Sequence, residues 1–108
     1  MDMNRLLETA TEAADVGRRT AEALEQGGTC NLDMCAVFLS GARSHEVVDG
    51  LRQVGLFAWY RTTGLWKGAY LISPPTRKQG NPRMRAAEEM SKVFVRAGYK
   101  SMVYYQMD

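Results

Sequence analysis

The sequence predicts a single α+β domain, and three observations predict it. Apolar residues recur at three- and four-residue steps over long stretches near both ends of the chain, the pattern of amphipathic helices. Between them, two runs rich in aromatic and β-branched residues, Leu56 to Arg61 and Leu65 to Ile72, bracket Thr62-Thr63-Gly64, the pattern of a hairpin. The chain has 108 residues, enough for one core and too few for two, so residues 1–108 are read as one domain. An apolar fraction of 45% against 24% charged residues places it among ordinary globular proteins rather than disordered or fibrous ones.

Residues 3–26 form the first expected helix. Met3, Leu6, Leu7, Ala10, Ala13, Ala14, Gly17, Ala21 and Leu24 make one stripe, and its small residues permit close packing against the domain or against a second copy. Gly27-Gly28 ends it, and Thr29-Cys30-Asn31 links it onward.

The segment 32–40 supports two readings. As a helix it carries Leu32, Cys35, Ala36 and Leu39 on one face, with Ser40-Gly41-Ala42-Arg43 as a tight turn after it. As a buried strand, Met34 to Leu39 is a short apolar run containing a β-branched and an aromatic residue. The helical reading is preferred because the hairpin that follows has the spacing of a wing and the long first helix completes a three-helix core. In the other case the order from residue 34 is β-α-β-β-α-β, the ferredoxin-like arrangement with an added N-terminal helix.

The next helix, 44–54, has Ser44 as its expected N-cap and Glu46 in the first turn, where an anion suits the helix dipole. Val47, Val48, Leu51 and Val54 form its apolar face, and Gly55 follows as a left-handed cap. After the hairpin, Ser73-Pro74-Pro75 takes the chain out of the sheet, because proline donates no ladder hydrogen bond. Thr76-Arg77-Lys78-Gln79-Gly80 is then a polar loop. Asn81 as N-cap and Pro82 at the first position start a last helix that runs to about Ala97, with Met84, Ala87, Met90, Phe94 and Ala97 on its stripe and Gly98 as its cap. Val95 lies off that stripe. Met102 to Gln106 reads as a short strand able to pair with an edge of the hairpin.

Val47 and Leu51 in the second helix, the Gly55-Leu56 step out of it, and Arg61-Thr62-Thr63-Gly64 running on to Tyr70-Leu71-Ile72 resemble the winged helix-turn-helix domains of bacterial regulators, over about residues 20–72. The resemblance implies a winged-helix core over 32–72, followed by a C-terminal helix and strand over 82–108. It also implies double-stranded DNA as partner, read by a recognition helix over 44–54 while a basic wing over 61–67 lies along phosphates. The groove-facing candidates are Arg43, Ser44, His45 and Arg52. Arg61 and Lys67 sit on the wing, and Arg77 and Lys78 extend the phosphate contact. The sequence departs from the family pattern at Ser40, where a glycine often ends the first helix, and at Glu46 and Asp49 on the polar face of the second.

Charge distribution carries part of this expectation. The net charge is only +2, but Arg61, Lys67, Arg77, Lys78, Arg83 and Arg85 fall in a stretch with no Asp or Glu. Glu46 and Asp49 point the other way and favour the alternative function, a protein-interaction module such as an adaptor or small inhibitor with an acidic partner. Trp59, Tyr60, Trp66, Tyr70, Tyr99, Tyr104 and Tyr105 supply interface-prone aromatics for it.

Catalysis finds no support in the residues. His45 is the single histidine, Ser44 beside it points around the helix rather than toward it, and no nucleophile-elbow, phosphate-loop, dinucleotide or zinc-protease string occurs. Cys30 and Cys35 are read as quiet thiols, because their spacing with one histidine falls short of a four-ligand metal site. No cofactor is expected. The N-terminus lacks a secretory signal and no stretch is apolar enough to cross a membrane, so the expectation is a cytoplasmic protein, with a homodimer through the terminal helices.

Overall fold

The computed structural model describes residues 1–27 and 31–106. Its elements are α1 (Met3–Glu22), β1 (Met34–Phe38), α2 (Ser44–Gln53), β2 (Ala58–Tyr60), β3 (Ala69–Ile72), α3 (Asn81–Arg96) and β4 (Lys100–Tyr104). The four strands form one antiparallel sheet in the order β2-β3-β1-β4. The α+β class holds. After α1 the order is β-α-β-β-α-β, which is that of the alternative reading.

The decisive correction lies at residues 34–38, which are strand and not the first helix of a helix-turn-helix. β1 is central, paired on one side with β3 (Cys35 opposite Ile72, Phe38 opposite Ala69) and on the other with β4 (Met34 opposite Tyr104, Phe38 opposite Lys100). Cys35, Ala36 and Val37 are all buried, Cys35 and Val37 beneath the helices and Ala36 on the opposite face beside Trp66, and a continuous apolar run suits that central position. Over so short a segment the helical and strand periods are not distinguishable, and two ladders settle the conformation.

Three smaller corrections follow from the same sheet. The terminal strand pairs with β1 rather than with the hairpin edge. The second hairpin strand starts at Ala69, because Leu65 to Gly68 are turn: Lys67 N donates to Gly64 O and Gly68 N to Arg61 O. Helix boundaries also move. α1 stops at Glu22, the N-cap of α2 is Arg43 with Ser44 inside the helix, and the N-cap of α3 is Gly80 with Asn81 inside.

All three helices contribute to one core on one face of the sheet. Leu6, Ala10, Ala13 and Ala14 from α1, Val47 and Leu51 from α2, and Met90, Val93 and Phe94 from α3 meet Cys35, Val37, Tyr70 and Ile72 from the sheet. The small-residue stripe of α1 is used within the chain, against α3, where Met90 lies so close to Gly17 that a Cβ there would sit 2.7 Å from its sulfur. That occupies the surface expected to hold a dimer. The helix pair is antiparallel and capped reciprocally: the Arg5 guanidinium donates to Ala97 O at the end of α3 and stacks on Tyr99, while Lys78 closes the end of α1. No helix among the described residues is long and apolar enough to cross a membrane.

Candidate interaction face

With every helix of the described residues on one side, no layer of described residues beyond the Trp66 turn covers the other face of the sheet. Strand alternation directs Met34, Ala36 and Phe38 of β1, Trp59 of β2, Ala69 and Leu71 of β3, and Lys100, Met102 and Tyr104 of β4 to it. Ala36, Ala69 and Leu71 are buried there because Trp66, carried by the β2–β3 turn, folds back over them. The Trp66 ring lies 6.3 Å from Phe38 in a stacked pair and 4.9 Å from Tyr104 edge-on, so three elements hold it. It is an anchored ridge rather than a free side chain.

Around that ridge the apolar surface is open to solvent. Leu65 is fully exposed, Trp59 53% and Met102 43%. Two shallow grooves lie on this face, one bordered by Trp66 itself and the other by Leu71 and Tyr104, which pack against it. One, of about 560 Å³, runs between Phe38, Leu65, Trp66, Lys67, Lys100 and Met102. The other, of about 380 Å³, is lined by Met34, Trp59, Tyr60, Arg61, Leu71, Tyr104 and Gln106. Each holds aromatic rings beside at least one cation, and among the described residues neither is lined by an Asp or Glu. The Lys100 ammonium sits 4.8 Å above the Phe38 ring, a cation–π contact that fixes its charge over the groove floor.

The residues expected to contact DNA divide into two groups. Arg43, Ser44 and His45 follow the exit of β1, and Arg61 and Lys67 lie on the β2–β3 connection; the register of Phe38 with Ala69 and of Tyr60 with Tyr70 puts both segments at one end of the sheet. Arg43 reaches Glu46 at 3.8 Å, and His45 is exposed. Arg52 and Arg77 belong to the opposite end, where Arg52 O accepts from Gly55 N and Arg77 borders a groove with Gly55 and Phe57.

Lys78 is committed elsewhere. Its Nζ donates to the carbonyls of Leu24 at 2.8 Å, Ala21 at 3.0 Å and Glu22 at 3.4 Å, satisfying the orphan acceptors at the end of α1. α2 itself crosses the sheet with Val47 and Leu51 in the core, and β1 stands where a helix-turn-helix has its first helix.

A polar cluster at Asn31, Asp33 and Arg83 was not visible from the sequence. Asp33 accepts from Asn31 Nδ2 at 2.8 Å and from Gln106 N at 2.7 Å, while Asn31 Oδ1 accepts from Gly80 N at 3.1 Å. Asn31, Asp33 and Arg83 are all buried. Burial pushes the Arg83 guanidinium below its ordinary range, and the Asp33 charge partly restores it. The bonds of Asn31 and Asp33 clasp the entry to β1, the start of α3 and the end of β4, while Arg83 donates to Ser73 Oγ at 3.3 Å and its buried Nε has no hydrogen-bond partner among the described residues.

Cys35 is buried beneath the sheet with its thiol 3.6 Å from Ser101 Oγ, and burial pushes it up to about 12. Cys30 lies outside the described residues. Among the described residues no cluster of His, Cys, Asp or Glu is arranged to hold a metal ion. No protein-family model, curated protein or solved structure matches the chain.

Proposed function

We propose that this ferredoxin-like sandwich is a protein-interaction module that docks a partner on the open face of its sheet. The observation that carries the reading is the exposure of Leu65, Trp59 and Met102 around a Trp66 already held in place by Phe38 and Tyr104. Aromatic, methionine and arginine side chains are enriched at interface centres, and a contiguous exposed apolar patch marks an interaction site. Pre-anchoring Trp66 also spares the ordering entropy that binding would otherwise cost.

The test uses a photo-crosslinkable side chain placed at Leu65 and, in a separate variant, at His45. A partner trapped from Leu65 and not from His45 is purified and titrated against the wild type and the Trp59→Ser/Leu65→Ser pair. Two exposed anchors truncated together should weaken binding by at least about tenfold, with the melting curve unchanged. Unaltered affinity would remove the face from the function.

Duplex DNA is the second reading, favoured by the gathering of Arg43, Ser44, His45, Arg61 and Lys67 at one end of the sheet. It no longer rests on a helix presented by a turn. Fluorescence anisotropy with random-sequence duplex decides it: binding that falls steeply with salt and is weakened by Arg61→Glu with Lys67→Glu supports it, and no binding at low salt ends it.

A further inference from the structure

We infer that the occupant of the open face is an acidic, apolar peptide segment of another protein, with apolar anchors entering the two grooves of that face and carboxylates beside them. This rests on the reading of that face as a docking surface and adds the chemistry of what docks there. Charge carries the addition. Arg61, Lys67 and Lys100 border the grooves, and among the described residues no carboxylate lines either groove and none of the three cations is held in an ion pair. Among the described residues most acidic side chains belong to the helices, Glu8, Glu12, Asp15 and Glu22 on α1, Glu46 and Asp49 on α2, Glu88 and Glu89 on α3, while Asp33, next to Met34, is buried and accepts from Asn31 and Gln106 N. The face therefore presents an apolar centre within a positive rim, and its complement is apolar within a negative one.

Two other occupants fit less well. A second copy docking through the same face would form a two-fold interface, in which Arg61, Lys67 and Lys100 meet the same positive patch on the other subunit. A single-stranded nucleic acid would satisfy the cations and find Trp59 exposed beside Arg61, but it needs a run of free ring faces for successive bases, and the rings at the centre of the face are engaged. Phe38, Trp66 and Tyr104 pack on one another, and Lys100 already lies over Phe38. The fully exposed Leu65 and the exposed Met102 offer aliphatic surface, which suits leucine-like or aromatic peptide anchors better than bases.

The experiment selects from a random-peptide display library on the immobilised full chain. Recovered peptides are then synthesised, together with versions in which every Asp and Glu becomes Asn and Gln, and a poly-thymidine oligonucleotide is titrated in parallel. The expected pool is enriched in Asp and Glu interleaved with Leu, Phe or Trp. Its binding should fall about tenfold on Lys67→Glu with Lys100→Glu and by a similar factor in the amide versions, and should weaken with salt. His45→Ala should leave it unchanged.

A pool that is neutral or basic, yet lost on Trp59→Ser with Leu65→Ser, would overturn the acidic partner while leaving the docking face intact. An empty pool, or one indifferent to that pair, would overturn both. Oligonucleotide binding abolished by the charge reversal, with no peptide recovered, would put nucleic acid in the partner's place.

Discussion

Cys35 shows how burial converts an ordinary side chain into a pH-dependent stabiliser. Desolvation raises its thiol from 9.0 to about 12, outweighing the contact with Ser101 that lowers it. The folded state thus holds this proton more tightly than the unfolded chain. The associated stability is fully present below about pH 9 and is lost as pH rises through about 12. Tyr70, raised chiefly by burial, adds a slope of the same sign. Urea unfolding repeated at increasing pH above 9 should therefore show falling stability, with a shallower fall in Cys35→Ala. Identical slopes in the two proteins would show that the thiol binds its proton equally in the folded and unfolded states. The same residue scale explains Lys78, whose ammonium is spent on three carbonyls of the α1 terminus and so belongs to the fold rather than to a phosphate.

Between elements, α1 approaches α3 closely at Gly17. Glycine inside a helix ordinarily costs about 1 kcal/mol relative to alanine, so something must recompense it here. The recompense is contact: a Cβ at Gly17 would come within 2.7 Å of Met90 Sδ and 2.8 Å of its Cγ, and Met90 is fully buried. Gly17→Val should destabilise by about 1–3 kcal/mol through overpacking. The Met90→Ala change, which removes the clashing atoms, should make the double variant less damaged than the sum of the singles. A double-mutant cycle from denaturant unfolding reads this coupling, and strict additivity would mean that the two helices do not meet at these residues.

For the molecule as a whole, the question is how an exposed apolar face avoids pairing with itself. The sheet has three helices on one side and only the Trp66 turn on the other, so the open face must be guarded by charge if the chain is to stay dispersed. Arg61, Lys67 and Lys100 border that face and are expected to supply the guard. Sedimentation velocity should find the wild type at monomer mass. The triple variant Arg61→Gln, Lys67→Gln, Lys100→Gln should shift to dimers or larger species, and should do so at a concentration where the wild type shows none. A wild type already dimeric through this face would contradict the role given to the cations.

Local chemistry alone determined much of this protein. The amphipathic stripes marked α1 and α3, Val47 and Leu51 marked the buried side of α2, and Gly55 and Gly98 closed their helices with φ of 86° and 97°, values that side chains with a Cβ rarely adopt. The alternation of Ala58 and Trp59 was legible too, since neighbouring residues of a strand must face opposite ways. What only the tertiary structure decided was the state of residues 34–38, and with it the exchange of a helix-turn-helix for a β-α-β-β-α-β sandwich. That segment is too short to display a period of its own. Its conformation depends on β3, more than thirty residues away in sequence, and on β4, more than sixty. The candidate site was hidden for the same reason: Trp66, Phe38 and Tyr104 become one surface only when three distant pieces of chain are brought to the same face of one sheet.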